Sequence, residues 1–231
     1  RGQTVFNSEF WDVWMRYFNQ LIAPAILVTL RLVAVTMLIC VVCGFGLACL
    51  MVLTHPSKGL HPNKKIYTPI SVVANSIRSF PFVLLIVTLA PITRFILGTM
   101  IGEAAAILPL SVGGIPFVAR LLENAMLEVN PQLIEMARSF GLSNREILVR
   151  VILKESVPAI VNSVTLATIN CVGSTAMAGA VGAGGLGSVA LNYGFYSFND
   201  LVLYTSVIIT LIIVQLIQLA GSLLYHRCLR K

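Results

Sequence analysis

Charge is scarce in this chain. Only 11% of its residues are Asp, Glu, Lys or Arg, against 57% hydrophobic residues. A soluble domain carries about 25% charged residues, so a 231-residue globule of this composition cannot clothe itself in water. The same poverty of charge excludes intrinsic disorder, which needs the opposite balance. Cysteine is sparse too. Of Cys40, Cys43, Cys49, Cys171 and Cys228, the first two have CxxC spacing. They lie in an apolar run without a second pair or a nearby His, so no four-ligand zinc site is built and no disulfide framework is implied. No G-x-x-x-x-G-K-[ST] occurs, so the chain cannot hydrolyse ATP itself. His55, His61 and His226 fall in polar connections, and no Ser–His–Asp or paired-carboxylate set lies within an apolar stretch; no catalytic or metal residue is expected. The net charge of +7 comes without a basic stripe interleaved with aromatics, so nucleic acid is not an expected partner. With a mean hydropathy of +0.89, what remains is an all-α integral membrane protein.

Five apolar stretches are long enough to cross a bilayer, which takes about 20 residues. They run over about 32–53, 66–90, 104–122, 157–181 and 201–225. The second contains Arg78 and Pro81, and the third contains Pro109, Gly113, Gly114 and Pro116. Orientation follows the basic residues of the connections. Lys58, Lys64, Lys65, Arg120, Arg138, Arg145, Arg150, Lys154, Arg227, Arg230 and Lys231 fall on one side, and only Arg1, Arg16 and Arg94 on the other. The N-terminus is therefore expected outside and the C-terminus in the cytoplasm, as an odd number of spans requires.

Residues 1–24 are neither a span nor a signal peptide. Phe10, Trp11, Trp14, Tyr17 and Phe18 recur at helical spacing, which predicts a short helix lying in the outer lipid interface, as an anchor or as a binding surface. The longest polar stretch, 123–156, holds nine charges, and lipid-facing structure cannot carry them. Its punctuation is helical. Asn130 caps, Pro131 follows at the first position, and Gly141 stops the helix. Leu133, Ile134, Ala137 and Phe140 form one apolar stripe, and Glu135 and Arg138 are spaced as an i, i+3 pair. Ser143 and Glu146 make a capping box before a second helix with Ile147, Leu148, Val151 and Ile152 inward. A cytosolic amphipathic helix of this kind asks for a groove in another protein.

Glu135-Met136-Ala137-x-x-x-Gly141, followed by Val151-x-Leu153, resembles the E-A-A-x-x-x-G loop of permease subunits of bacterial ABC importers. Two positions depart: Met136 stands for Ala, and Lys154 stands where a helix-kinking Pro is usual. The blocks Asn75–Phe82, Gly113–Arg120 and Gly173–Gly187 look like the methionine-importer branch, and the likeness covers roughly 25–222. The resemblance implies a five-helix type I permease fold over 25–222, with a cytoplasmic tail at 223–231. It implies a homodimer in the bacterial inner membrane, two cytosolic ATPase subunits that hold ATP and Mg, and an extracytoplasmic binding protein delivering L- or D-methionine or a close relative. Glu135, Met136, Ala137, Arg138 and Gly141 would then couple to the ATPase. A channel or secondary transporter is the alternative; it needs no protruding helix and more often shows intramembrane carboxylates.

Gly182-Ala-Gly184-Gly-Leu-Gly187 spells G-x-G-x-x-G, but an apolar helix rather than a strand precedes it, so a dinucleotide site is not expected. Gly179, Gly182, Gly184, Gly185 and Gly187 read instead as a tight turn or close helix packing. Ser163, Thr165, Thr168, Asn170, Ser174 and Thr175 form a polar seam along the fourth stretch, facing other helices or a pathway. Ser174, Thr175 and Met177 are the pathway candidates, with Met177 either closing the path or packing as an ordinary helix residue. Arg78 is either a functional intramembrane charge or an interface residue beside a span that starts later.

Overall fold

The computed structural model describes residues 8–229, and the side chains of 11–229. Arg1, Arg230, Lys231 and the Phe10 side chain, which entered the readings above, lie outside the described residues. Among the described residues the chain is helical, with no strand. The helices are α1 (Ser8–Tyr17), α2 (Ala23–Thr54), α3 (Lys64–Ser79), α4 (Phe82–Leu97), α5 (Glu103–Leu127), α6 (Pro131–Ser139), α7 (Asn144–Glu146), α8 (Leu153–Ala180), α9 (Gly185–Val189) and α10 (Asp200–Leu229). Two π-helical turns, Phe18–Ile22 and Ile147–Ile152, join neighbouring helices without a break, and a third, Ala190–Phe195, continues α9 and ends before the connection 196–199 that leads to α10.

Three of the expected spans sit in helices that are long and apolar enough to cross a membrane: Trp11–Thr54, Glu103–Leu127 and Asp200–Leu229. The other two differ from the expectation. The stretch 66–90 is a broken pair, α3 and α4, not one rod. Pro81 lacks an N–H, and a residue before proline is pushed out of the helical region; Phe80 accordingly has φ −76° and ψ 129°. The stretch 157–181 lies in α8, the least apolar of the long helices because of its polar seam. The N-terminal helix differs as well. It does not stand apart in the interface but continues through the turn Phe18–Ile22 into α2, making one helical run of 44 residues. At 1.5 Å per residue that run is ~66 Å long.

The chain packs as two compact units. One comprises Arg1–Val35, Phe82–Leu110 and Val172–Gln215. Its core is Leu32, Ala106, Leu110, Ala178 and Ala183, flanked by Val28, Phe82, Ile86 and Ile107. On α1, Trp14 stacks on Phe18 with ring centroids 5.1 Å apart, and its indole N–H donates to Thr205 Oγ1 at 3.3 Å. The other unit comprises Thr36–Pro81, Ser111–Cys171 and Leu216–Lys231. Here α2 and α5 approach closely through small residues. A Cβ on Gly44 would lie 3.0 Å from Val118, and one on Gly114 would lie 2.5 Å from Cys40 Sγ.

Candidate functional site

The segment between α5 and α8 is built around its caps. Asn130 Oδ1 accepts from Gln132 N at 3.0 Å, with Pro131 at the first helical position. At the other end Gly141 adopts φ +76°, and Leu142 N donates to Ala137 O at 3.2 Å, closing the last carbonyls of α6. The capping box forms in full: Ser143 N donates to Glu146 Oε2 at 3.0 Å, and Glu146 N donates to Ser143 Oγ at 3.4 Å. The Ser143 N–H, followed by its hydroxyl, holds the Glu146 carboxyl below the ordinary carboxylate range, and Arg150 adds to this. Ile147, Leu148 and Ile152 are buried and Val151 half-buried, as the pattern predicts, but on a π-helical turn rather than an α-helix. The turn runs directly into α8, and the helix continues through Lys154, where the family pattern has proline.

Two expectations for α6 need correcting. Phe140 does not complete the inward stripe. Ala137 is buried and Leu133 and Ile134 are half-buried, but Phe140 is 76% exposed and Met136, one turn away, 53%. The stripe divides where α6 ends: Phe140 is already the cap residue, with φ −80° and ψ 5°. Nor do Glu135 and Arg138 pair: among the described residues the ion pairs are Arg31–Glu103, Arg120–Glu123 and Arg150–Glu146. Glu135 and Arg138 instead line one hollow of about 260 Å³, with Ser57 and Lys58 of the α2–α3 connection and Ile134 of α6. α6 therefore presents two exposed apolar side chains beside two unpaired opposite charges.

The glycine-rich block is a turn with close packing around it. Gly182, Gly184 and Gly185 have φ +94°, +82° and +78°, which side chains bearing a Cβ rarely adopt. Thr29 Oγ1 of α2 accepts from Leu186 N at 2.9 Å, and Gly102 N donates to Gly182 O at 3.0 Å, so both flanks of the turn are tied down. Gly179 and Gly187 have no room for a Cβ against the backbone of Ser188 and Ala176 respectively.

Among the pathway candidates, Met177 is 51% exposed, Ser174 half-buried and Thr175 buried. The seam is partly turned inward. Thr165, Thr168 and Thr175 donate to the carbonyls of Val161, Val164 and Val172 of their own helix, while Ser163 reaches Leu121 O of α5 at 3.4 Å. Arg78 is exposed in the last turn of α3, its guanidinium 5.7 Å from the Phe117 ring centre. α3 breaks just beyond Arg78, at Ser79, and the apolar α4 begins at Phe82.

One constellation was not read from the sequence. Glu123, counted there among cytosolic charges, is fully buried in α5. Arg120 Nη1 donates to Glu123 Oε2 at 2.6 Å and to Tyr67 Oη at 3.1 Å. Arg120 Nη2 donates to Ser71 Oγ at 2.7 Å and Asn75 Oδ1 at 3.1 Å, and Tyr67 Oη donates to Glu123 Oε1 at 2.9 Å. The available signal was spacing: Tyr67, Ser71 and Asn75 recur every four residues, and Arg120 and Glu123 are three apart. His55 also has a local task. Its Nδ1 accepts from Ser57 N at 3.3 Å and Lys58 N at 3.1 Å, shaping the turn after α2. His226 lies within α10 rather than in a tail.

Residues 41–230 match the model of the family described as binding-protein-dependent transport system inner membrane component. The chain is 41% identical over 217 residues to a probable D-methionine transport system permease protein of Vibrio cholerae, covering 93% of this chain and 95% of that one. It is 43% identical over 169 residues to the methionine import system permease protein of Bacillus subtilis, covering 73% and 76%. A solved structure of a methionine ABC transporter in an inward-facing conformation superposes with a TM-score of 0.87 at 40% identity, over 90% of this chain and 96% of that one.

Proposed function

The chain belongs to the family of binding-protein-dependent transport system inner membrane components, and on that premise we propose that it is the permease subunit of an ATP-driven methionine importer. It sits in the bacterial cytoplasmic membrane with five spans, the broken pair α3–α4 counting as one and α8 as another, N-terminus outside and C-terminus inside. The transport domain covers 25–222. Two copies form the translocation path, and an extracytoplasmic binding protein delivers L- or D-methionine, as the names of the relatives support. ATP and Mg are held by two separate cytosolic ATPase subunits. Ser174 and Met177 line or close the path, Thr175 supports them from within α8, and Arg78 stands at the break between α3 and α4.

The observation that carries this reading is the surface of α6. A helix capped at both ends that exposes Met136 and Phe140 beside Glu135 and Arg138 has the mixture of apolar anchors and charge that a protein groove recognises. Docking there lets closure of the ATPase pair move Ala137, Gly141 and the turn that leads into α8.

The test is uptake of labelled methionine into liposomes holding the permease, its ATPase and the binding protein. Uptake that requires ATP and the ATPase supports the importer. Uptake by the permease alone down a gradient would replace it with a channel.

A further inference from the structure

We propose that Arg120 and Glu123 are positioning residues for transport, forming a polar pivot about which α3 swings into an apolar groove beside it; this rests on the permease reading above. α3 is held mainly through its polar side. Of its sixteen residues only Ala74 is buried. Little apolar surface is thus committed to fixing this helix, and the polar side does the fixing. Tyr67, Ser71 and Asn75 lie on one stripe, and every one of them bonds to Arg120, with Tyr67 also bonding to Glu123. Both carboxylate oxygens of Glu123 are satisfied, one by Arg120 and one by Tyr67.

The neighbouring stripe of α3 is the opposite case. Ile70, Val73 and Ile77, with Leu47 of α2 and Ile115 of α5, line a groove of about 490 Å³. On a helix that turns 100° per residue this stripe lies about 125° around from the polar one. The groove leaves α3 room to move towards Leu47 and Ile115 without displacing another side chain of this chain. Sliding α3 along its axis would strip Arg120 of its three acceptors on α3 and Glu123 of Tyr67, and a largely buried charge that loses its hydrogen bonds is strongly disfavoured. Rotation about the clamp keeps all five hydrogen bonds and repacks only the groove. It is the motion that this arrangement leaves cheapest.

The experiment uses the reconstituted permease–ATPase complex, in a variant whose native cysteines are replaced by alanine and which retains uptake. Spin labels at Leu47→Cys and Val73→Cys report the width of the groove, nucleotide-free and trapped with ATP and vanadate. The expected result is a distance that changes between the two states, and a distribution that broadens in Arg120→Lys, which keeps the charge but loses the fork. Val73→Phe, at a position more than half exposed and so not critical to folding, should fill the groove. It should slow uptake roughly tenfold, the scale of about 1.4 kcal/mol. An unchanged distance in both states, or wild-type uptake by Val73→Phe, overturns the pivot. If the unsubstituted complex shows no ATP-dependent uptake, the permease reading fails instead, and the two failures are distinct.

Discussion

Arg120 and Glu123 meet at 2.6 Å, one helical turn apart, with the Glu123 side chain 1% exposed. Leaving either charge alone in that place is costly, because breaking a buried pair by removing one partner costs about 3–5 kcal/mol. Arg120→Ala and Glu123→Ala should each lower the melting temperature of the detergent-solubilised protein markedly. The double variant should lose less than the two single losses combined, since neither charge is then stranded. Equal and additive losses would mean that the pair is not coupled.

Gly141 offers a cleaner separation of backbone from packing. A Cβ placed on it meets nothing within 4 Å, so φ +76° is the only obstacle to a side chain. Gly141→Val should strain the elbow by about 1–2 kcal/mol, whereas Gly141→Asn, which tolerates the left-handed region, should keep near-normal coupling. Methionine uptake and ATPase stimulation measured side by side decide this. Equal behaviour of Val and Asn would remove the conformational argument.

Met136, Phe140 and Glu135 lie on the open side of α6, so substituting them should leave folding nearly untouched, within about 0.5 kcal/mol. Met136→Asp and Phe140→Asp should nevertheless weaken binding of the ATPase subunit roughly tenfold or more, about 1.4 kcal/mol per decade. Glu135→Ala should weaken it to a similar extent, through loss of a charged hydrogen bond that contributes about 1.5–3 kcal/mol. Titration of the ATPase onto nanodisc-embedded permease gives the affinity directly; wild-type affinity in all three variants would move the docking surface elsewhere.

Thr29 is buried and holds the Leu186 N–H, itself buried, across 157 residues of sequence. Thr29→Val keeps the shape and deletes the acceptor. An unsatisfied buried donor costs about 1–3 kcal/mol, so the melting temperature should fall, while Thr29→Ser should restore most of it. A neutral Thr29→Val would show that the glycine turn does not depend on this bond.

The capping box carries a pH dependence with a definite sign. The Glu146 carboxyl titrates below its ordinary range because it accepts from the Ser143 N–H. A depressed carboxylate stabilises the fold above its unfolded-state pKa, and the contribution is lost as pH falls through the folded-state value. The protection of the amides across 143–147, measured against their intrinsic exchange rate at each pH, should therefore hold near neutrality and fall only on acidification below the ordinary carboxylate range. In Glu146→Gln that acid-dependent step should disappear. Persistence of the step in that variant would assign it to another group.

Local chemistry was the legible part of this sequence. Asn130, Pro131, Gly141, Ser143 and Glu146 act within a few residues of themselves, and their caps stand as the pattern requires. Charge counting failed at Glu123, because a carboxylate among cytosolic neighbours in sequence was pulled into α5 by an arginine one turn away and a tyrosine 56 residues distant. Hydropathy read 66–90 as one span, since Pro81 changes direction without changing apolarity. Phe140 followed helical spacing on paper, but α6 ends beneath it.

The self-contained caps of the segment 130–146 bear on how fast it can meet a partner. Its amide and carbonyl ends are already satisfied by Asn130, Ala137, Ser143 and Glu146, all within the segment. A preorganised element of this kind surrenders little entropy of ordering when it docks. If the ATPase docks here as proposed, encounter and release would need no folding step in between.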